Sequence, residues 1–113
     1  MSDDRLYLIH IRECLSRIEQ YTASGRETFF ADTKTQDAVL RNLQTLAEST
    51  QRLSAALKAR HPKVDWKAIA GFRNILVHDY LGININRVWE IVERDLPGLR
   101  TCVLAMLTET GLP

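Results

Sequence analysis

Apolar residues in this chain recur at alternating steps of four and three, and that spacing leaves room for little besides helices. Tyr7, Ile11, Cys14, Ile18 and Tyr21 form one series; Val39, Leu43, Leu46, Thr50, Leu53 and Leu57 form a second, longer one. A helix turns about 100° per residue, so such steps return to one face and draw an apolar seam along it. No segment shows the period of two that a half-buried strand needs. Only three prolines and five glycines occur in 113 residues, most of them between or after the periodic segments, so little interrupts the runs.

The periodicity predicts five helices. The first covers about residues 3–23 and ends at Ser24-Gly25. Glu27 to Thr33 reads as a short connection whose Phe29 and Phe30 fold back onto the core. The second, about residues 33–60, would be the longest, roughly 40 Å at 1.5 Å per residue, and is stopped by His61-Pro62. Asp65 suits the N-cap of a third helix carrying Trp66, Ile69, Ala70, Phe72, Leu76 and Val77, with Gly82 as a left-handed residue beyond its end. Asn84 or Asn86 caps a fourth, with Val88, Trp89, Ile91 and Val92 facing inward. Pro97 opens a fifth that buries Leu99, Val103, Met106 and Leu107. The expected fold is all-α: an up-down bundle of about five helices, forming a single domain over residues 1–113.

Composition narrows the class. Hydrophobic content of 45% with 26% charge is that of a soluble globular protein. No apolar run approaches the roughly 18 residues of a membrane span. The start Met1-Ser2-Asp3-Asp4-Arg5 does not resemble a signal peptide, so a cytoplasmic protein is expected. Cys14 and Cys102 sit apart in apolar helical patterns, as buried reduced thiols do. A net charge of +1 argues against a general nucleic-acid binder; contact with RNA would have to be focused in a cleft or pooled between two copies. Glu-x-x-His, HExxH, CxxC and a glycine-rich phosphate loop are all missing, which disfavours metal and nucleotide-triphosphate catalysis, and no cofactor is expected.

Chemistry concentrates in Arg73-Asn74-Ile75-Leu76-Val77-His78-Asp79-Tyr80, at the expected end of the third helix. A guanidinium that is always charged and an imidazole that titrates near neutrality are what metal-free cleavage of RNA requires. A base takes the ribose 2′-hydroxyl proton, the oxygen attacks phosphorus, and an acid protonates the departing 5′-oxygen; imidazole serves in either role. Arg73 would hold the phosphate and stabilise the charge growing on it. The helix C-terminus and Asp79 would favour the protonated form of His78. Asn74 and His78, four apart, share a face, so the amide can fix the ring's tautomer. Arg73 and His78, five apart, diverge by about 140°, so a second copy of the chain closes a cleft more readily than one alone.

Spacing by itself is weak evidence. Arg5 and His10 stand equally far apart on the first helix, without the polar residue or the tyrosine, and read as solvated surface. Arg73 also has a plainer reading, as an ion-pair partner of Asp65, Asp79 or Glu90; His78 as a helix-end cap; Tyr80 as a rim aromatic. Trp66 and Trp89 read as core, His10 and His61 as solvated.

The motif resembles the Arg-polar-x-x-x-His signature of HEPN-domain proteins. The run from Asp65 to Tyr80, with Val88-Trp89 and Asp95-Leu96-Pro97 beyond it, is similar to the HepT branch of that superfamily over essentially the whole chain. The resemblance implies a ribonuclease toxin of a toxin–antitoxin pair, a two-fold homodimer with the Arg/His motifs of both copies lining one cleft, and RNA as substrate. It also implies an MNT-type nucleotidyltransferase antitoxin that transfers AMP to a tyrosine. On this pattern Arg73 and His78 are the catalytic residues, Asn74 supports them and Tyr80 is the modified residue. Two other classes fit the residues: a non-catalytic module that binds a nucleotide or a nucleotidyltransferase, and a dimerisation bundle with a decayed site.

Overall fold

The first apolar seam becomes helix α1, Ser2–Thr22, in the computed structural model, which describes residues 2–78 and 84–111 but not the side chains of 2 and 74–78. Leu8, Ile11, Cys14, Leu15 and Ile18 are buried along it. Leu8 and Leu15 widen the expected seam, whereas Tyr7 is only partly buried and Tyr21 is exposed. The cause is packing on two sides, since α1 contacts both α3 (Thr33–Gln51) and α7 (Leu96–Glu109).

Gly25, at φ 95°, turns the chain out of α1 where a side chain would be strained. The expected connection is instead a short helix, α2, Arg26–Ala31. Isolated helices of this length are marginal, so burial of Phe29 holds it. The Phe29 ring lies 5.5 Å from that of Phe30 and 5.3 Å from that of Trp89. Asp32 then caps α3, accepting from the Lys34 N–H at 3.1 Å and the Thr35 hydroxyl at 2.7 Å.

The single helix expected over 33–60 is two. It breaks after Gln51, and α4, Ala55–Ala59, follows. Ser54 adopts an extended backbone (φ −63°, ψ 147°) and caps α4 by accepting from the Leu57 N–H at 3.2 Å. Its own N–H and hydroxyl donate to the Asp4 carboxylate, each at 2.7 Å. Val39, Leu43, Leu46, Thr50, Leu53 and Leu57 are nonetheless all buried. The phase survives because Arg52 and Leu53 donate to carbonyls three residues back, keeping the chain turning almost as a helix does.

The third expected helix is α5, Trp66–His78, begun by Asp65, whose carboxylate accepts from the Ala68 N–H at 3.0 Å. The Leu76 and Val77 side chains, and Gly82 as its cap, lie outside the described residues. Asn84 opens α6, Ile85–Glu90, accepting from the Arg87 N–H at 3.2 Å. The fourth and fifth helices prove to be one helical run over 85–109, joined through a π turn, Ile91–Asp95, to α7. The Leu96 N–H bonds five residues back to the Ile91 carbonyl. Pro97 explains the slip: it has no N–H to give the Glu93 carbonyl, and its ring pushes that carbonyl aside, so the ladder widens by one residue.

The buried side chains of these helices join in one apolar cluster, with Ile69 and Phe72 from α5, Val88 from α6, and Leu99, Val103, Met106 and Leu107 from α7. Trp66 and Trp89 pack against it; the Trp66 ring N–H donates to the His61 carbonyl at 3.1 Å, while that of Trp89 is buried without a partner among the described residues. The described residues contain helices and no strand, and no helix among them is long and apolar enough to cross a membrane.

Asp4 and Ser54 pin the start of α1 to the end of α3, so these helices run antiparallel. Burial tends to raise the Asp4 carboxyl, but hydrogen bonds from the Ser54 N–H and hydroxyl outweigh it and hold it below its ordinary value. A folded value below the unfolded one stabilises fully above about pH 3.9 and is lost as pH falls through the folded value. Asp4→Asn is expected to cost at most about 1 kcal/mol at pH 7, and its deficit to vanish on acidification, as urea unfolding across that range would show.

Candidate functional site

Arg73 stands past the middle of α5, on a side chain about half exposed, and its Nε lies 3.9 Å from Glu48 Oε1 on α3. None of the ion-pair partners weighed from sequence is the one found. The Asp65 carboxylate is occupied in capping Ala68, Glu90 pairs with Arg87 at 2.7 Å, and Asp79 lies outside the described residues. Glu48 is 25 positions earlier in sequence, and no local spacing connects it with Arg73. At 3.9 Å between two half-exposed groups the contact is loose, and no hydrogen bond joins the guanidinium to a described residue. Among the described residues nothing else occupies its fork of donors, which suits an anion.

The α5 backbone is helical through Asn74 to His78, so these two occupy positions four apart on one unbroken helix, and Arg73 and His78 occupy positions about 140° apart around it. The Asn74 and His78 side chains are not described, and Tyr80 lies outside the described residues. The structure therefore brings Arg73 to an exposed surface beside α3 and leaves the remaining motif contacts open.

The other histidines differ from one another. His10 is exposed on α1, as is Arg5. His61 is not solvated as expected: its side chain is 19% exposed and its Nε2 meets Glu109 Oε2, while Arg60 Nε lies 3.3 Å from Oε1 of the same carboxylate. Burial tends to raise Glu109, but these two partners hold it below the ordinary glutamate value.

A cavity of about 740 Å³ opens between the start of α5, the segment before it and α7. Its lining includes Lys63, Val64, Ile69, Arg94, Leu99 and Ala105, residues scattered over four segments that no sequence motif groups together. The partly buried Cys102 thiol also faces it, pushed up by burial and therefore poorly nucleophilic. Cys14 is buried, and both cysteines are free. Among the described residues no three His, Cys, Asp or Glu side chains gather where they could hold a metal ion.

Comparison with known proteins adds a family. The model described as Ribonuclease HepT-like matches residues 11–106. A putative RNase of Caldanaerobacter subterraneus subsp. tengcongensis is 35% identical over 108 residues, 95% of this chain and 96% of that protein. The probable ribonuclease HepT of Thermococcus cleftensis is 35% identical over 95 residues, covering 83% of this chain and 86% of its own. A gamma-glutamylcyclotransferase and putative RNase of Methanocaldococcus jannaschii is 33% identical over 108 residues, and there the chain spans only 49% of the relative's length. No solved structure gives a significant match.

Because the Glu48–Arg73 contact is exposed and long, Glu48→Ala is expected to change stability by less than about 0.5 kcal/mol. Chemical denaturation of the two proteins side by side measures this; a larger loss would mean that Glu48 anchors α5.

Proposed function

Because this chain belongs to the ribonuclease HepT-like family, we propose that it is a metal-independent endoribonuclease, the toxin of a HEPN/MNT toxin–antitoxin pair. One observation carries the reading: the family match over 11–106 takes in all of α5, the helix on which Arg73 lies exposed with no hydrogen bond to a described residue. In this reading residues 1–113 form one HEPN-like domain, an up-down bundle acting in the cytoplasm. Two copies pair about a two-fold axis so that both Arg73–His78 segments face one cleft. Pooling two guanidiniums there concentrates positive charge that a net charge of +1 cannot supply overall.

RNA enters with its scissile phosphate against Arg73. One His78 takes the 2′-hydroxyl proton, the 2′-oxygen bonds to phosphorus, and the bond to the 5′-oxygen breaks as a protonated His78 delivers a proton to it. The products are a 2′,3′-cyclic phosphate and a 5′-hydroxyl. Arg73 stabilises the extra negative charge on the phosphoryl oxygens in the transition state. Asn74, one turn before His78, holds the ring in the working tautomer.

Neutralisation follows at Tyr80. The nucleotidyltransferase antitoxin transfers AMP from ATP: the phenol oxygen bonds to the α-phosphorus, pyrophosphate leaves, and the phenol proton is lost. The adduct places a phosphodiester charge and a nucleoside in the cleft, occupying Arg73 as the RNA phosphate would.

Arg73→Ala and His78→Ala are each expected to lower the cleavage rate by about 10²–10⁴-fold in the presence of a chelator, with cyclic-phosphate ends on the wild-type products. Binding of RNA without cleavage by the wild type would instead favour the non-catalytic clamp. For the switch, intact-mass analysis after incubation with the antitoxin and ATP should show whole AMP increments that Tyr80→Phe abolishes. Increments persisting in that variant would move the modification elsewhere.

A further inference from the structure

The proposed chemistry leaves the 740 Å³ cavity without a role, although its size is that of a ligand site. Its floor is apolar, with Val64, Ile69 and Leu99; Ala105 lies exposed at its mouth, and its rim carries Lys63 and Arg94 together with the Asp65 and Asp95 carboxylates. Neither cation pairs with a carboxylate among the described residues, whereas Arg60, also on the rim, is committed to Glu109. Two open cations over an apolar floor fit a ligand that joins a flat, weakly polar body to a phosphate. A nucleotide of an RNA strand is such a ligand.

Two further observations point the same way. Arg94 and Asp95 belong to the π turn, a backbone form that is rare and concentrates at functional sites. Asp95 makes no side-chain cap bond, so its carboxylate can accept from the exocyclic amino group of a base. The cavity is also close to Arg73 along the same helix: Ile69, in its lining, and Arg73 are one turn apart on α5, about 6 Å along its axis, so an RNA strand passing around α5 can reach both.

We infer that this cavity is a nucleotide-binding subsite for the RNA substrate, receiving the base of a residue flanking the scissile phosphate while Lys63 and Arg94 hold its phosphate. The inference rests on the ribonuclease reading for its context, but binding can be measured without cleavage. The probe is a short, fluorescently labelled oligoribonucleotide methylated at every 2′-oxygen, which cannot be cut by in-line attack, followed by anisotropy at several salt concentrations. K63E/R94E should weaken binding at least tenfold and reduce the slope of log K against log salt by about 1.4. Ala105→Trp, which blocks the mouth of the cavity without changing charge, should also weaken binding at least tenfold but leave that slope unchanged. Arg73→Ala removes the separate contact to the scissile phosphate and should weaken binding on its own, and Ala105→Trp should weaken it further by a similar factor in that background. All these side chains are exposed, and circular dichroism melts verify folding. Unchanged affinity in both K63E/R94E and Ala105→Trp overturns the subsite, even if the protein cleaves RNA. Loss of binding in both, with a wild type that cuts no RNA, sustains the subsite and overturns the nuclease.

Discussion

Helix α1 is buried on two sides, and the placement of every other element depends on that. Leu8, Ile11, Cys14, Leu15 and Ile18 are almost fully removed from water between α3 and α7. At roughly 1.5–3 kcal/mol for each large apolar side chain, this far exceeds any polar contact on the surface. The polar contacts at its two ends, Asp4 with Ser54 and Glu19 with Arg100 at 2.8 Å, set the register of α1 rather than its stability. With α1 fixed, α3 is fixed beside it; with α3 fixed, α5 has one face on which to pack.

That chain of dependence is how a scaffold helix determines chemistry. α5 buries Ile69 and Phe72 and in doing so presents Arg73 outward against the edge of α3. Its other flank forms a wall of the cavity shared with α7. A single helix therefore borders two surfaces, and the loose hold of Glu48 on Arg73 leaves the guanidinium available while restraining its approach. A tight, buried pair would have consumed the donors that an anion needs.

Departures from regular helix are concentrated where elements meet. Ser54 leaves the helical conformation because its N–H and hydroxyl both bond Asp4 and its oxygen caps α4. The π turn absorbs Pro97 without ending the helix and sets Arg94 on the cavity rim. Both are local irregularities with a specific cause, and both leave the apolar phase intact. Leu57 beyond the first, and Leu99 and Val103 beyond the second, remain buried.

Helical periodicity is a property of consecutive residues, so the sequence alone determined the all-helical class, most buried positions, and the caps at Asp65 and Asn84. It also marked Arg73-Asn74-x-x-x-His78-x-Tyr80 as the segment of interest, because a polar string at a helix end is local as well. Where it misled, the deciding partner was distant. Asp4 breaks a helix fifty residues later, Phe29 needs Trp89 to make α2 worth forming, and Glu109 takes His61 out of solvent. The pairing of Glu48 with Arg73 and the cavity between α5 and α7 belong to the same category. Such contacts depend on how helix faces meet across the core, and that geometry exists only once the apolar seams have been packed together.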